Sequence, residues 1–238
     1  MTIPPPVDVQ AQVVAVEPLN YNVVRVRLQL DRDVARLAGQ YLEIRDGDAA
    51  YAFSIASPPE SGRDLELHIR HGADNPSSLE VVALLRRSAA VQLRLPLGDC
   101  VLAEEPAQPL VLVAGATGFS QVQAFVGHAI DCRWAVPITV CWGARDAADF
   151  YLAEVPARWQ REHANIRCRL VVSQGVPAAG MQAGLVHEVA LAETPDLSRA
   201  LVYACGSPPM VYAALDAFTA AGLPRAQFFS DVLAWAPR

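Results

Sequence analysis

Through the first hundred residues, apolar and polar positions alternate with a period of two. VQAQVVAVEPLNYNVVRVRLQL (9–30) holds two such runs, broken at Pro18-Leu19-Asn20, where the residues suit a turn. GQYLEIR (39–45), AYAFSIAS (50–57), DLELHIR (64–70) and AVQLRLPLG (90–98) follow at hairpin-like spacings. A single helical stretch interrupts them, SSLEVVALLRR (77–87), with serine at its start as a cap candidate. Six short strands at this spacing predict a six-stranded antiparallel β-barrel.

The period changes after the acidic, proline-marked link EEPAQP (104–109). PLVLVAG, PITVCWGA, IRCRLVVSQ, ALVYACG and QFFSDVLAW are apolar runs with no alternation, as strands buried on both faces require. Helical stretches lie between them, GFSQVQAFVGHAI (118–130) and PPMVYAALDAFTAAG (208–222) among them. In the second, Val211, Leu215 and Phe218 share a face and Gly222 stands where the helix should stop. Buried strands alternating with helices predict an α/β doubly wound parallel sheet of five strands. The expected organisation is a barrel domain over 1–103, a linker over 104–109 and an α/β domain over 110–238.

Composition narrows the function. Hydrophobic residues make up 53% of the chain and charged residues 18%, which describes a globular protein with a substantial core. A formal net charge of -6, with no basic stripe, argues against a nucleic-acid partner. No apolar run reaches the roughly 18 residues of a membrane span. The opening MTIPPPVDVQ lacks the basic and apolar regions of a secretory signal, so a cytoplasmic protein is expected. Every basic residue is arginine, most simply a composition bias of an alanine- and arginine-rich chain. The five cysteines (Cys100, Cys132, Cys141, Cys168, Cys205) show no CxxC spacing, and His68 and His71 have no third ligand nearby in sequence. No metal site is expected on these grounds.

In a doubly wound sheet, ligands bind beyond the carboxyl ends of the strands, which directs attention to the loops there. GATGFS (115–120) joins the first strand of the second half to its first helix. Small residues at a helix start let backbone N–H groups approach an anion, although a plain glycine turn fits the stretch as well. CGSPPM (205–210) ends the fourth strand and opens a helix on two prolines, leaving Cys205 at the sheet edge. An isolated cysteine is commonly buried and inert; its neighbours make this one a candidate. WGARDAADFY (142–151) and SQG (173–175) open on the same edge. Arg145 suits a phosphate there, or an ion pair with Asp149 one turn on. In the barrel, alternation sets Tyr51, Phe53 and Ile55 on one face and Ala52, Ser54 and Ala56 on the other.

AGQY, AFSIAS, LELHI, VAGATGFS, WGAR, CGSPPM and FSDVLAW occur in this order over nearly the whole chain. Together they resemble the ferredoxin–NADP reductase superfamily, most closely its small NAD(P)H:flavin reductase branch. The resemblance implies a flavin-binding barrel followed by a nicotinamide-nucleotide domain. In the family, an arginine-x-aromatic-serine motif cups the flavin ring; Phe53 matches the aromatic and Ser54 the serine that faces flavin N5. Tyr51 stands in place of the arginine that usually meets flavin phosphate, and a phenol cannot replace a guanidinium fork there. Arg70 is the candidate to compensate, beside His68 and Ile69 of LELHI. Ser77 or Ser78 falls where the family has its glycine–serine phosphate loop.

For the nucleotide, the resemblance implies that Gly115, Thr117 and Gly118 hold the pyrophosphate and that Cys205 and Gly206 lie against the nicotinamide. Asp231 takes the place of a catalytic aspartate near the C-terminus, and Trp235 that of an aromatic end that covers the flavin. Ser173 is followed by glutamine where NADP-preferring relatives carry arginine, which favours NADH over NADPH, with Arg145 or Arg169 as the remaining cations. The implied activity is hydride transfer from NADH or NADPH to a loosely held flavin (FAD, FMN, or riboflavin as substrate). A reductase component feeding an oxygenase or iron–sulfur protein, and a non-catalytic relay subunit, are the alternatives.

Overall fold

The computed structural model of the protein describes residues 2–194 and 196–238. Two compact units divide the chain: residues up to Ala103 with Gln123–Arg133, and Glu104–Val122 with Trp134–Arg238.

The first unit contains β1 (Val7–Pro18), β2 (Val23–Leu30), β3 (Tyr41–Asp46), β4 (Ala49–Ser54), β5 (Asp64–Arg70) and β6 (Ala90–Leu97). They form one antiparallel sheet in the order β4-β3-β6-β1-β2-β5. Alternation in sequence becomes alternation in burial: Val24, Val26, Leu28 and Leu30 of β2 and Leu65, Leu67 and Ile69 of β5 all face one apolar core. The turn at Pro18-Leu19-Asn20 closes through the Asn20 side chain, which accepts from the backbone N–H groups of Asn22 and Val23. Helix α1 (Pro76–Arg87) packs Val81, Val82 and Leu85 into the same core. Its cap is Asn75, not a serine: Asn75 Oδ1 accepts from Ser78 N, and Pro76 fills the first helical position. Ser77 and Ser78 therefore lie inside the first turn.

The second unit is a parallel sheet. Its strands are β7 (Leu110–Gly115), β8 (Ile138–Ala144), β9 (Ile166–Val172), β10 (Gln182–Ala183), β11 (Leu201–Cys205) and β12 (Phe228–Phe229), in the order β10-β9-β8-β7-β11-β12. Among the described residues six strands are present where five were expected. The extra one, Gln182–Ala183, is a two-residue polar edge beside β9, too short to produce an apolar run. The expected strand over QFFSDVLAW is also shorter, since only Phe228–Phe229 pairs and Val232–Trp235 turns into a helix. Helices α2 (Phe119–Asp131), α3 (Glu154–Glu162), α4 (Val186–Ala192), α5 (Pro208–Ala220) and α6 (Val232–Trp235) complete the chain. In α5, Val211, Leu215 and Phe218 are buried and Gly222 follows the end with φ +103°, a left-handed stop. Helix α2 begins in the second unit, and its residues from Gln123 on belong to the first. Among the described residues no helix is long and apolar enough to cross a membrane.

Candidate functional site

In the second unit, β8 lies on one side of β7 and β11 on the other, so the strand order reverses between β7 and β11. That is where a doubly wound sheet opens a crevice at its carboxyl edge. GATG leaves β7 there and CGS leaves β11. The two loops meet closely: a Cβ on Gly206 would come within 3.3 Å of the Gly115 Cα, and one on Gly115 within 2.5 Å of Met210 Sδ. A Cβ on Gly118 would overlap the Cys205 carbonyl. Ala116 adopts φ 48°, a left-handed conformation uncommon for a residue with a side chain. Its carbonyl accepts from Trp142 Nε1 at 2.9 Å, and Trp142 in turn stacks on Phe119 at 3.9 Å and 8°. The strained turn is thus fastened to the unit's largest fully buried side chain.

Asp231 follows β12, two strands from β7, at the same sheet edge. Gln121 Nε2 donates to Asp231 Oδ2 at 2.8 Å, tying the aspartate to the first turn of α2. Cys205 is buried, Thr117 and Gly206 are half-buried, and Trp235 is exposed on α6. On the β8–β9 side, Ser173 Oγ donates to the Ala144 carbonyl, and the Arg145 carbonyl accepts from Gln174 N and Gly175 N. Asp149 Oδ2 accepts from Asp146 N in a capping box, while the Arg145 side chain is exposed. Arg169 is held by Glu193 at 2.8 Å. The Asp146 carboxylate reaches so near Gly175 that a Cβ there would overlap it.

In the first unit the edge strands β4 and β5 come together just beyond β4. Ala56 N donates to the Glu66 carbonyl at 2.7 Å, and Glu66 N donates to Ser57 Oγ at 3.1 Å. Ile55 N donates to Gln40 O on the β3 side, so alternation turns the backbone groups of Ser54 and Ala52 away from β3. His71 N donates to Asn22 O on the β2 side, which turns those of His68 and Arg70 away from β2. Ser54, half-buried, and the backbone of His68 and Arg70 thus border a seam between two strand edges. A flat heteroaromatic ring with donors and acceptors on its rim suits such a seam. Phe53 and Tyr51 are half-buried against the barrel core, and the Ile69 side chain lies wholly within it.

The His68 ring is buried on the opposite face of β5 from that core. Its Nε2 meets Glu66 Oε1 at 2.8 Å, and Glu66 also accepts from Gln123 Nε2 at 3.1 Å. Burial lowers the His68 pKa against the pull of Glu66. Burial acts to raise the Glu66 carboxyl, but the hydrogen bonds from His68 and Gln123 and the nearby Arg25 bring it below the usual range.

The phosphate end is different. Tyr51 OH donates to Glu80 Oε2 at 3.3 Å, and partial desolvation together with that carboxylate raises the phenol's pKa. Arg70 is ion-paired with Asp74. The first turn of α1 is capped by Asn75, with Ser77 exposed and Ser78 buried. The residues present therefore fit a flavin ring and do not form a cationic clamp for its phosphate.

Gln121, Asp146 and Glu80 were not singled out by the sequence. Gln121 follows GATGFS directly, which is a usable signal; Asp146 and Glu80 are meaningful only once the fold sets them beside Gly175 and Tyr51.

Comparison with known proteins gives the family. A family model for the oxidoreductase NAD-binding domain matches residues 112–216. The chain is 29% identical over 218 residues to a terephthalate 1,2-dioxygenase reductase component of Comamonas, covering 91% of this chain and spanning only 65% of that protein. The crystal structure of an Amycolatopsis cytochrome P450 reductase superposes with a TM-score of 0.87 at 26% identity, over 97% of this chain and 71% of that one. The NAD(P)H-flavin reductase of Vibrio harveyi is 32% identical over 217 residues, 89% of this chain and 92% of that protein. At that identity and over nearly the whole length of both proteins, this chain belongs to the NAD(P)H-flavin reductase family.

Proposed function

We propose that the protein is an NAD(P)H:flavin oxidoreductase that favours NADH and holds its flavin loosely. The observation that carries this reading is the gathering of Gly115, Thr117, Gly118, Cys205, Gly206 and Asp231 on one carboxyl edge, at the strand reversal. When bound, the two cofactors supply the hydride chemistry between nicotinamide C4 and flavin N5. Residues 1–103 form the flavin-binding domain, 104–109 the linker and 110–238 the nucleotide-binding domain. The backbone of the GATG turn takes the pyrophosphate. Cys205 and Gly206 support the nicotinamide, and Asp231, fixed by Gln121, orients it. The Ser54 hydroxyl would donate to flavin N5.

Two features of the β8–β9 edge support NADH. Arg169 is already held by Glu193, and Asp146 presents a carboxylate beside the Ser173–Gly175 loop. A carboxylate there accepts from a ribose 2′-hydroxyl and repels a 2′-phosphate. Arg145 remains as the exposed cation that pairs with phosphate.

A second reading is favoured by the Comamonas relative, whose name places it in a dioxygenase system: a reductase component that passes electrons to an oxygenase or iron–sulfur partner. Cytoplasmic location is part of the proposal under either reading. Oxidation of NADH and NADPH is followed with riboflavin, FMN and FAD in turn. Turnover with free flavin and NADH supports the flavin reductase. Protein that stays yellow through gel filtration and turns over only with a protein acceptor supports the second reading, and no turnover with any flavin contradicts the first.

A further inference from the structure

In the first unit, three side chains from two distant parts of the sequence converge away from the seam. Glu60 lies in the short turn Pro59–Ser61, His128 in the last turn of α2, and Cys132 in the turn directly after it, held near His128 because Cys132 N donates to the His128 carbonyl at 2.9 Å. His128 Nδ1 is 2.7 Å from Glu60 Oε1. Cys132 Sγ is 3.6 Å from that nitrogen and 3.7 Å from that oxygen. A tetrahedral Zn2+ with ordinary bond lengths needs edges of about 3.6 Å to sulfur and about 3.4 Å between nitrogen and oxygen. Both sulfur edges already have this length, and only the exposed Glu60 carboxylate has to draw back.

The other side of the imidazole sharpens the case. His128 Nε2 faces the Ala103 carbonyl at 3.4 Å, a partner that can hold the ring N–H once Nδ1 binds a cation. Without a cation, Nδ1–H and the Cys132 thiol can both donate to the Glu60 carboxylate. A cation replaces those protons and meets one nitrogen, one sulfur and one oxygen at tetrahedral spacing.

We propose that Glu60, His128 and Cys132 bind a borderline-soft divalent cation of the Zn2+ type, with a fourth position open to solvent. One nitrogen, one sulfur and one oxygen donor match Zn2+ and its analogues Co2+ and Cd2+ rather than Mg2+ or Ca2+, which take oxygen sets. On binding, Cys132 gives its thiol proton to solvent and binds as thiolate. The bound ion joins the segment that follows β4 to α2 within the first unit. Sequence spacing concealed the site, since Glu60 is 68 positions from His128 and no CxxC occurs. Competition from other thiols is small: Cys100, Cys141 and Cys205 are buried and Cys168 is half-buried, whereas Cys132 is exposed.

The test is titration of the metal-free full chain with Zn2+ by calorimetry and with Co2+ by absorption. One ion per chain is expected, with thiolate-to-cobalt charge transfer and tetrahedral d–d bands. Cys132→Ser should abolish the charge-transfer band and weaken Zn2+ binding by at least about tenfold, and Glu60→Gln should also weaken it. Both positions are exposed, so both variants should melt like the parent without metal. Because neither residue belongs to the flavin or nucleotide site, flavin reduction in chelator should be unchanged. Absence of Zn2+ binding in the parent, or binding unaffected by both substitutions, would overturn the proposal.

Discussion

At the carboxyl edge of β7 and β11 the contacts are made by backbone. Gly118 lies against the Cys205 carbonyl, Gly115 against Met210, and Ala116 is pinned by Trp142. At the seam of β4 and β5 the ring position is also framed by backbone, but the phosphate end depends on side chains, and there the chain has changed. Tyr51 meets Glu80, and Arg70 meets Asp74. A backbone site is defended by packing, because a substituted glycine collides with its neighbours. A side-chain clamp can be exchanged for another pair without disturbing the fold. The proposed nucleotide edge therefore rests on packed backbone, and the proposed flavin site rests on the ring seam.

The largest effect should come from Gly118→Ala. A methyl group there displaces the Cys205 turn, an overpacking cost of about 1–3 kcal/mol. A shift of the nicotinamide support by about 1 Å should lower kcat/KM for NADH by roughly 100-fold. Steady-state kinetics beside a thermal melt check it, and parental kinetics would show that the edge tolerates movement.

Ser54→Ala should lower turnover by up to about 100-fold, the low end of what loss of a preorganised donor costs, while the melting temperature stays that of the parent. Unchanged turnover would remove Ser54 from the reacting atoms.

Asp146→Ser should shift the NADH/NADPH ratio of kcat/KM toward NADPH by about five- to tenfold, since only one cofactor carries the repelled phosphate. An unchanged ratio would place the ribose elsewhere.

The smallest effect is on stability. Glu66 is lowered from 4.5, so its contribution is present above that value and lost as pH falls through its folded pKa. His68 is lowered from 6.5 by burial, so the unfolded chain takes up its proton first and stability begins to fall below pH 6.5. Melting temperature against pH should hold steady above 6.5 and decline with acidification. His68→Gln should flatten the upper part of that decline.

The sequence disclosed what repeats or what only glycine can do. Period-two alternation located all six barrel strands, and the glycines of GATG and CGS marked the edge loops. It did not disclose Gln182–Ala183, where two polar residues pair without a hydrophobic pattern. Asn75 was not legible as the cap, because Ser77 stands nearer the apolar run. The pairing of Tyr51 with Glu80 was also invisible, because residues 29 apart meet only after α1 folds over β4.

Paired dissociation constants for riboflavin and FMN, read by flavin fluorescence quenching in the parent and in Tyr51→Arg, test the contrast most directly. With no cationic clamp, the parent should bind the two flavins within about threefold of each other, and Tyr51→Arg should tighten FMN alone by about tenfold. A parent that binds FMN tenfold or more tightly than riboflavin would contradict the account.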